Sequence, residues 1–189
     1  MEEAKKGKRK MYFVDAAHFV LGGFLGYLWC FCRLYLPTPS GRQRYNVLGA
    51  IDAISHQLIT ECNDKYINAQ SVCSLLLKIA ELKMNVPITL VMDNARYQHC
   101  ELVQNYAKEL NIELLFLPSY SPNLNLIERL WKWVKKDCLY CKYYEKFESF
   151  KFAINSSLSK VGLSEYKKEF DSTLNLKFQL FNKSQYVTV

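Results

Sequence analysis

Between Pro87 and Lys136 the hydrophobic pattern passes through strand, helix, strand, turn and helix, and that order leaves few folds open. Pro87–Asp93, PITLVMD, is short and almost wholly apolar, the pattern of a strand buried on both faces. Tyr97–Leu110 carries helical periodicity, and Ile112–Leu117 is a second apolar run. Strands separated by single helices pair in parallel, so this half of the chain predicts crossovers feeding a parallel sheet. A turn over Pro118–Pro122 then leads into a helix from Leu124 onward, with Ser121 at the cap and Pro122 at the first helical position.

Upstream the pattern differs. Met11–Asp15 (MYFVD), Gly26–Arg33 and Arg44–Ile54 (RYNVLGAIDAI) read as strands, with Pro37–Arg44 (PTPSGRQR) as a hairpin loop. Consecutive hairpin-linked strands imply an antiparallel meander. Ala69–Lys83 repeats apolar residues at Val72, Leu75, Leu76, Ile79 and Leu82, a helical period, and Phe147–Val161 forms another helix. The predicted fold class is α/β: a mixed five-stranded sheet, three strands in an antiparallel meander plus two parallel strands, flanked by helices. A chain of 189 residues fits one domain. The expected division is a flexible basic arm over 1–10, one domain over 11–165, and a tail without assigned structure over 166–189.

Lys and Arg outnumber Asp and Glu by 25 to 18, a net charge of +7 that favours a polyanionic partner such as nucleic acid. The seven cysteines are odd in number and lack framework spacing, which points to reduced thiols in a cytoplasmic or nuclear compartment and not to a secreted protein. Cys138 and Cys141 have C-x-x-C spacing, but no second pair completes a zinc site, so both read as small core residues. Cys30 and Cys32, either side of Phe31 in an expected strand, read the same way. The uncharged run from Ala16 to Cys32 contains three glycines and a histidine, which fits buried strands around a Gly-rich turn better than a membrane span. Asp15 also interrupts any signal-peptide core.

Asp15 and Asp93 each follow a hydrophobic run and are expected to close their strands. If those strands are neighbours, the two acids can approach each other at the sheet's end. On the helix, Ile127, Leu130, Val134 and Cys141 share a core-facing arc, Glu128, Lys132 and Lys135 share another, and Trp131 lies at the border. Taken alone, Glu128 with its lysines is a solvated face with i, i+4 pairs, and each Asp is a strand-end cap; Asp52 occupies a comparable position. Taken together, three carboxylates without cationic partners repel unless divalent cations sit among them. Oxygen ligands of this kind select Mg²⁺ or Mn²⁺, and two ions roughly 3.5–4 Å apart would clamp a phosphodiester. The reaction class this predicts is phosphoryl transfer on nucleic acid.

Three ordered segments, YFVDAAHF, LVMDNARYQHC and LPSYSPNLNLIERLWKWVKK, resemble the catalytic domain of mariner-like transposases and related bacterial insertion-sequence transposases of the DDE transposase and integrase superfamily. Residues 94–127, 34 in number, separate Asp93 from Glu128, the spacing of that class. The resemblance covers about Met11 to Lys136 and weakens beyond. It implies a ribonuclease H-like fold and a two-metal site, with two Mg²⁺ (or Mn²⁺) ions on Asp15, Asp93 and Glu128 as catalytic and metal-binding residues. Asn94, His99 and Asn125 match supporting motif positions, with caps and helix-surface polar groups as their plain reading. Arg129, Lys132, Lys135 and Lys136 would contact DNA phosphates, and Arg42 and Arg44 form a second DNA-binding set. The implied partners are double-stranded DNA (transposon ends and target), a second copy of the chain in a homodimer, and a separate N-terminal helix-turn-helix polypeptide; no membrane is implied. Because Asp15 comes so early, where relatives carry helix-turn-helix modules, the expectation is chemical competence without autonomous targeting. Two alternatives stay open: a ribonuclease H-like nuclease that never joins strands, and a non-catalytic DNA-binding remnant.

Overall fold

The structure, a computed structural model, describes residues 1–22, 26, 29–33, 35–37, 42–118 and 121–178. Its strands are β1 (Lys10–Val20), β2 (Arg44–Asp52), β3 (Leu58–Asn63), β4 (Ile88–Met92) and β5 (Ile112–Phe116). Its helices are α1 (Glu2–Lys5), α2 (Ala69–Ala80), α3 (Glu101–Glu109), α4 (Ile127–Cys138), α5 (Phe147–Ser159) and α6 (Lys167–Thr173). The sheet order is β3-β2-β1-β4-β5. β1 sits at the centre, antiparallel to β2 and parallel to β4, so the mixed five-stranded sheet expected from the pattern is present.

Alternation along β1 separates two cores. Phe13, Ala17 and Phe19 face α4, α5 and α6, and Tyr12 and Val14 face α2 and α3. β4 is buried at every position, as its unbroken apolar run requires, whereas edge strand β5 alternates. α2 begins at a capping box in which Asn68 accepts from the Ser71 backbone and Ser71 answers in return, and its buried side is Val72, Leu75, Leu76 and Ile79.

Several expectations need correction. Asp15 does not close its strand; β1 continues five residues to Val20, because Ala16–Val20 stay paired with Arg44–Leu48 of β2. The meander's third strand is Leu58–Asn63, not Gly26–Arg33: the described residues of that segment are not in a strand, and Trp29, Phe31, Cys30 and Cys32 are exposed. β1 pairs directly with β2 and β3 takes the other side of β2, so the meander is complete without the intervening run. Most of the expected loop at Pro37–Arg44 lies outside the described residues. Residues 1–10, read as a flexible arm, hold α1, whose Ala4 is buried, and Arg9 pairs with Glu3 and Glu113 and donates to Thr89.

The segment from 166 onward is docked as far as Phe178, with Phe170 and Leu174 buried. The helix expected from Leu124 starts only at Ile127, after a 3-10 turn over Pro122–Leu124, so Ser121 is not its cap and Glu128 falls in the first turn. Cys138 is buried at the end of α4; Cys141 lies past the helix, half-buried, at φ 57°. No helix among the described residues is long and apolar enough to cross a membrane.

Candidate active site

The register of β1 against β4 brings the first two acids together. Val14 pairs with Met92, the last pair of the ladder, so Asp15, still within β1, and Asp93, one residue past the end of β4, each follow that pair directly. Both follow the parity of Phe13 and Val91, the face covered by α4. Asn125, buried in the turn before α4, ties the pair: its Nδ2 donates to the Val14 carbonyl at 3.1 Å and to Asp93 Oδ1 at 3.3 Å. Glu128 enters from the first turn of α4, where the helix dipole favours a negative charge.

Trp131 completes the arrangement. Its indole Nε1 donates to Asp15 Oδ2 at 3.0 Å across 116 residues of sequence. The ring reaches that carboxylate by passing over Gly49, which faces Asp15 across the β1–β2 ladder. A Cβ at Gly49 would sit 2.8 Å from Trp131 Cη2 and 3.0 Å from Ile127 Cδ1, so the indole fits only because position 49 lacks a side chain.

Electrostatics record the crowding. Burial pushes the Asp15 carboxyl up to about 7; the Ala16 backbone N–H opposes this, the charges of Glu128 and Asp93 add to the rise, and the Trp131 indole opposes it. Burial also raises the Tyr97 hydroxyl, with Asp15 next in weight, which puts Tyr97 within electrostatic reach of the same centre.

The donor chemistry fits a hard divalent cation: carboxylate oxygens, one of them with its charged form disfavoured by burial and by the neighbouring acids, beside the Asn125 Oδ1, a buried oxygen without a hydrogen-bond partner among the described residues. In spacing the cluster is open, because among the described residues no three His, Cys, Asp or Glu side chains are grouped closely enough to hold an ion.

The other predicted residues separate. Asn94 is exposed next to Asp93, and His99 is exposed with its ring 4.5 Å from that of Phe116; neither bonds to the three acids. Arg129 does not project a free charge toward DNA. Its Nη1 donates to the Asn175 carbonyl at 2.6 Å and to Asn175 Oδ1 at 3.2 Å, and its Nη2 to the Lys177 carbonyl at 2.8 Å. Lys132, Lys135 and Lys136 are exposed on α4. Arg42 and Arg44 are exposed at the far end of the hairpin; Arg44 is five residues along β2 from Gly49, roughly 17 Å at strand rise. Asp52, the comparison case, is a turn cap, accepting from the backbone N–H groups of Ile54 and Ser55 at 2.9 and 2.7 Å.

Sequence reasoning missed Trp131 and Gly49 as site residues. A glycine inside an otherwise apolar strand was the available signal for a close approach.

A mixed sheet in the order β3-β2-β1-β4-β5, with one acid on its central strand, a second just past the adjacent parallel strand and a third on the covering helix, is a ribonuclease H-like fold. The chain belongs to the DDE superfamily endonuclease family, whose sequence profile matches residues 10–151. Comparison with curated proteins gives no match. Among solved structures, the Mos1 transposase catalytic domain bound to raltegravir with Mn superposes with a TM-score of 0.61 at 13% identity, over 96% of this chain and 90% of that one. The Mos1 mariner paired-end complex with Mn gives 0.61 at 14% identity, over 96% of this chain and 60% of that one. The simian T-cell lymphotropic virus intasome gives 0.56 at 16%, over 79% and 47%. The chain thus spans about half to three-fifths of the longer proteins and most of the isolated Mos1 catalytic domain.

Proposed function

We propose that this chain is a transposase catalytic domain that cuts DNA and joins the freed 3′ hydroxyl to a second DNA site, using two Mg²⁺ or Mn²⁺ ions held by Asp15, Asp93 and Glu128. The observation that carries the proposal is that Asp15 and Asp93 directly follow the last pair of the β1–β4 ladder, with Glu128, in the first turn of α4, within electrostatic reach of Asp15. Similarity to Mos1 structures that contain Mn supports the choice of cation. Bound there, the ions would activate an attacking water or 3′ hydroxyl and neutralise charge on the leaving oxygen.

The chain's own groups supply the preorganisation. Trp131 holds Asp15 Oδ2, Asn125 holds Asp93 Oδ1, and the N-terminal turn of α4 directs partial positive charge toward the place where a phosphate would lie. The exposed lysines of α4 would steer and hold the phosphate backbone.

The test is incubation with a pre-nicked duplex and Mn²⁺, separating hydrolysis products from joined strands on a denaturing gel. Joined products that vanish in Asp93→Asn and Glu128→Gln are expected. Cleavage without joining would restrict the activity to hydrolysis, and no metal-dependent cleavage would overturn the assignment.

A further inference from the structure

Beside the carboxylates the described residues form a cavity of about 730 Å³, within the range of ligand-binding clefts. α4 lines it with Glu128 and Lys132, and the segment after α6 lines it with Asn175 and Lys177. That segment is fixed in place. The Arg129 guanidinium donates to two of its carbonyls and to the Asn175 side chain, and lies 5.5 Å from the Phe178 ring centroid. Phe178 in turn meets Phe13, two residues before Asp15 on the same face of β1, with centroids 5.9 Å apart.

Arg129 therefore serves as the latch of a wall and leaves the cationic role in the cavity to others. The ammonium groups of Lys132 and Lys177 have no hydrogen-bond or ion-pair partner among the described residues, although both line a cavity that also contains a carboxylate. Two unpartnered cations on separate elements suit a ligand that carries negative charge at more than one point. Lys132 lies four residues beyond Glu128, about 6 Å along a helix. That distance is between one and two nucleotide steps of a DNA strand at 3.4 Å rise.

We propose that residues 174–178 form one wall of a DNA-strand cleft, in which Lys177 and Lys132 contact backbone phosphates flanking the one that reacts at the carboxylates. This rests on the reading that the carboxylates act on DNA. It assigns a substrate-contacting role to a segment well beyond the three acidic motifs, and it moves the phosphate contact expected of Arg129 to Lys177.

The experiment measures binding of the full chain to a fluorescent nicked duplex across a salt series without divalent cation. Lys132→Ala and Lys177→Ala are each expected to make the negative slope of log K against log[salt] shallower by about 0.9, one phosphate contact. Lys177→Arg is expected to keep the wild-type slope. Lys108→Ala, on α3 across the sheet, serves as the control and is expected to change nothing. A wild-type slope and affinity in Lys177→Ala, with metal-dependent nicking intact, would overturn the cleft proposal alone. A wild-type chain with no salt-dependent DNA binding would overturn the underlying function as well.

Discussion

Gly49→Ala is the most direct probe of how the site is held. In a strand interior, alanine ordinarily improves on glycine by roughly 0.5–1 kcal/mol, because glycine loses more backbone entropy on folding. Here the new methyl carbon would meet Trp131 Cη2 at 2.8 Å and both Trp131 Cζ2 and Ile127 Cδ1 at 3.0 Å. The indole is a rigid ring, buried and bonded to Asp15, so it cannot swing aside as a flexible chain end would. Overpacking of this kind costs about 1–3 kcal/mol, and displacing the indole from Asp15 adds about 1 kcal/mol. These costs come to about 2–4 kcal/mol, and the opposing backbone gain leaves a net destabilisation of about 1–3.5 kcal/mol. At about 2–4 °C per kcal/mol for a domain of this size, Tm falls by roughly 2–14 °C.

Urea denaturation of Gly49→Ala, Trp131→Phe and the double variant gives the cycle. Phenylalanine withdraws the fused-ring atoms that the methyl would strike, so a coupling of at least about 0.5 kcal/mol is expected, with Gly49→Ala far milder in the Phe background. Equal costs in both backgrounds, or a stabilised Gly49→Ala, would refute the account of why position 49 is glycine.

Other consequences follow from the same geometry. For Asp52, burial raises the carboxyl, but the Ser55 and Ile54 backbone N–H groups, the Ser55 hydroxyl and Lys10 outweigh it and hold the pKa below its ordinary value. A depressed folded-state pKa adds stability that is present above the unfolded pKa of about 3.9 and lost as pH falls through the folded value. The stability gap between wild type and Asp52→Asn should therefore narrow on acidification below about pH 4; a gap constant from pH 7 to 3 would contradict this. Arg129→Ala removes the donor to Asn175 and Lys177, and should cost about 1.5–3 kcal/mol and speed amide hydrogen exchange over residues 174–178. Unchanged exchange there would mean that the segment is held by its apolar contacts alone. Mn²⁺ should raise the Tm of wild type and leave that of Asp93→Asn unchanged in a thermal-shift titration; equal responses would argue against the acids as ligands.

The local patterns read well where one element decides its own burial. β4 follows its apolar spacing almost residue for residue, α2 buries Val72, Leu75, Leu76 and Ile79 as expected but ends at Ala80 and leaves Leu82 exposed, and β5 ends one residue short of the expected run. They read poorly where the outcome depends on a partner. β1 runs on through Asp15, since a half-buried carboxylate can be held by an indole that no local window contains. Leu58–Asn63 was missed because every residue of β3 is half-buried, which erases the alternation that marks a strand. Cys30 and Cys32 read as core residues of a strand, yet both are exposed, and the described residues around them lie outside the sheet.

By itself the sequence determined a mixed sheet of a meander plus two crossovers and three acids at family spacing, because periodicity and motif spacing are local properties, but it placed one meander strand at Gly26–Arg33 in place of Leu58–Asn63. Only the tertiary structure decided that Asp15 and Asp93 both follow the last pair of the β1–β4 ladder, that Gly49 clears the path of Trp131 to Asp15, and that Arg129 latches the C-terminal segment. Those contacts join residues up to 116 apart and depend on strand register and helix docking, which minimise buried volume and unpaired polar groups over the whole domain.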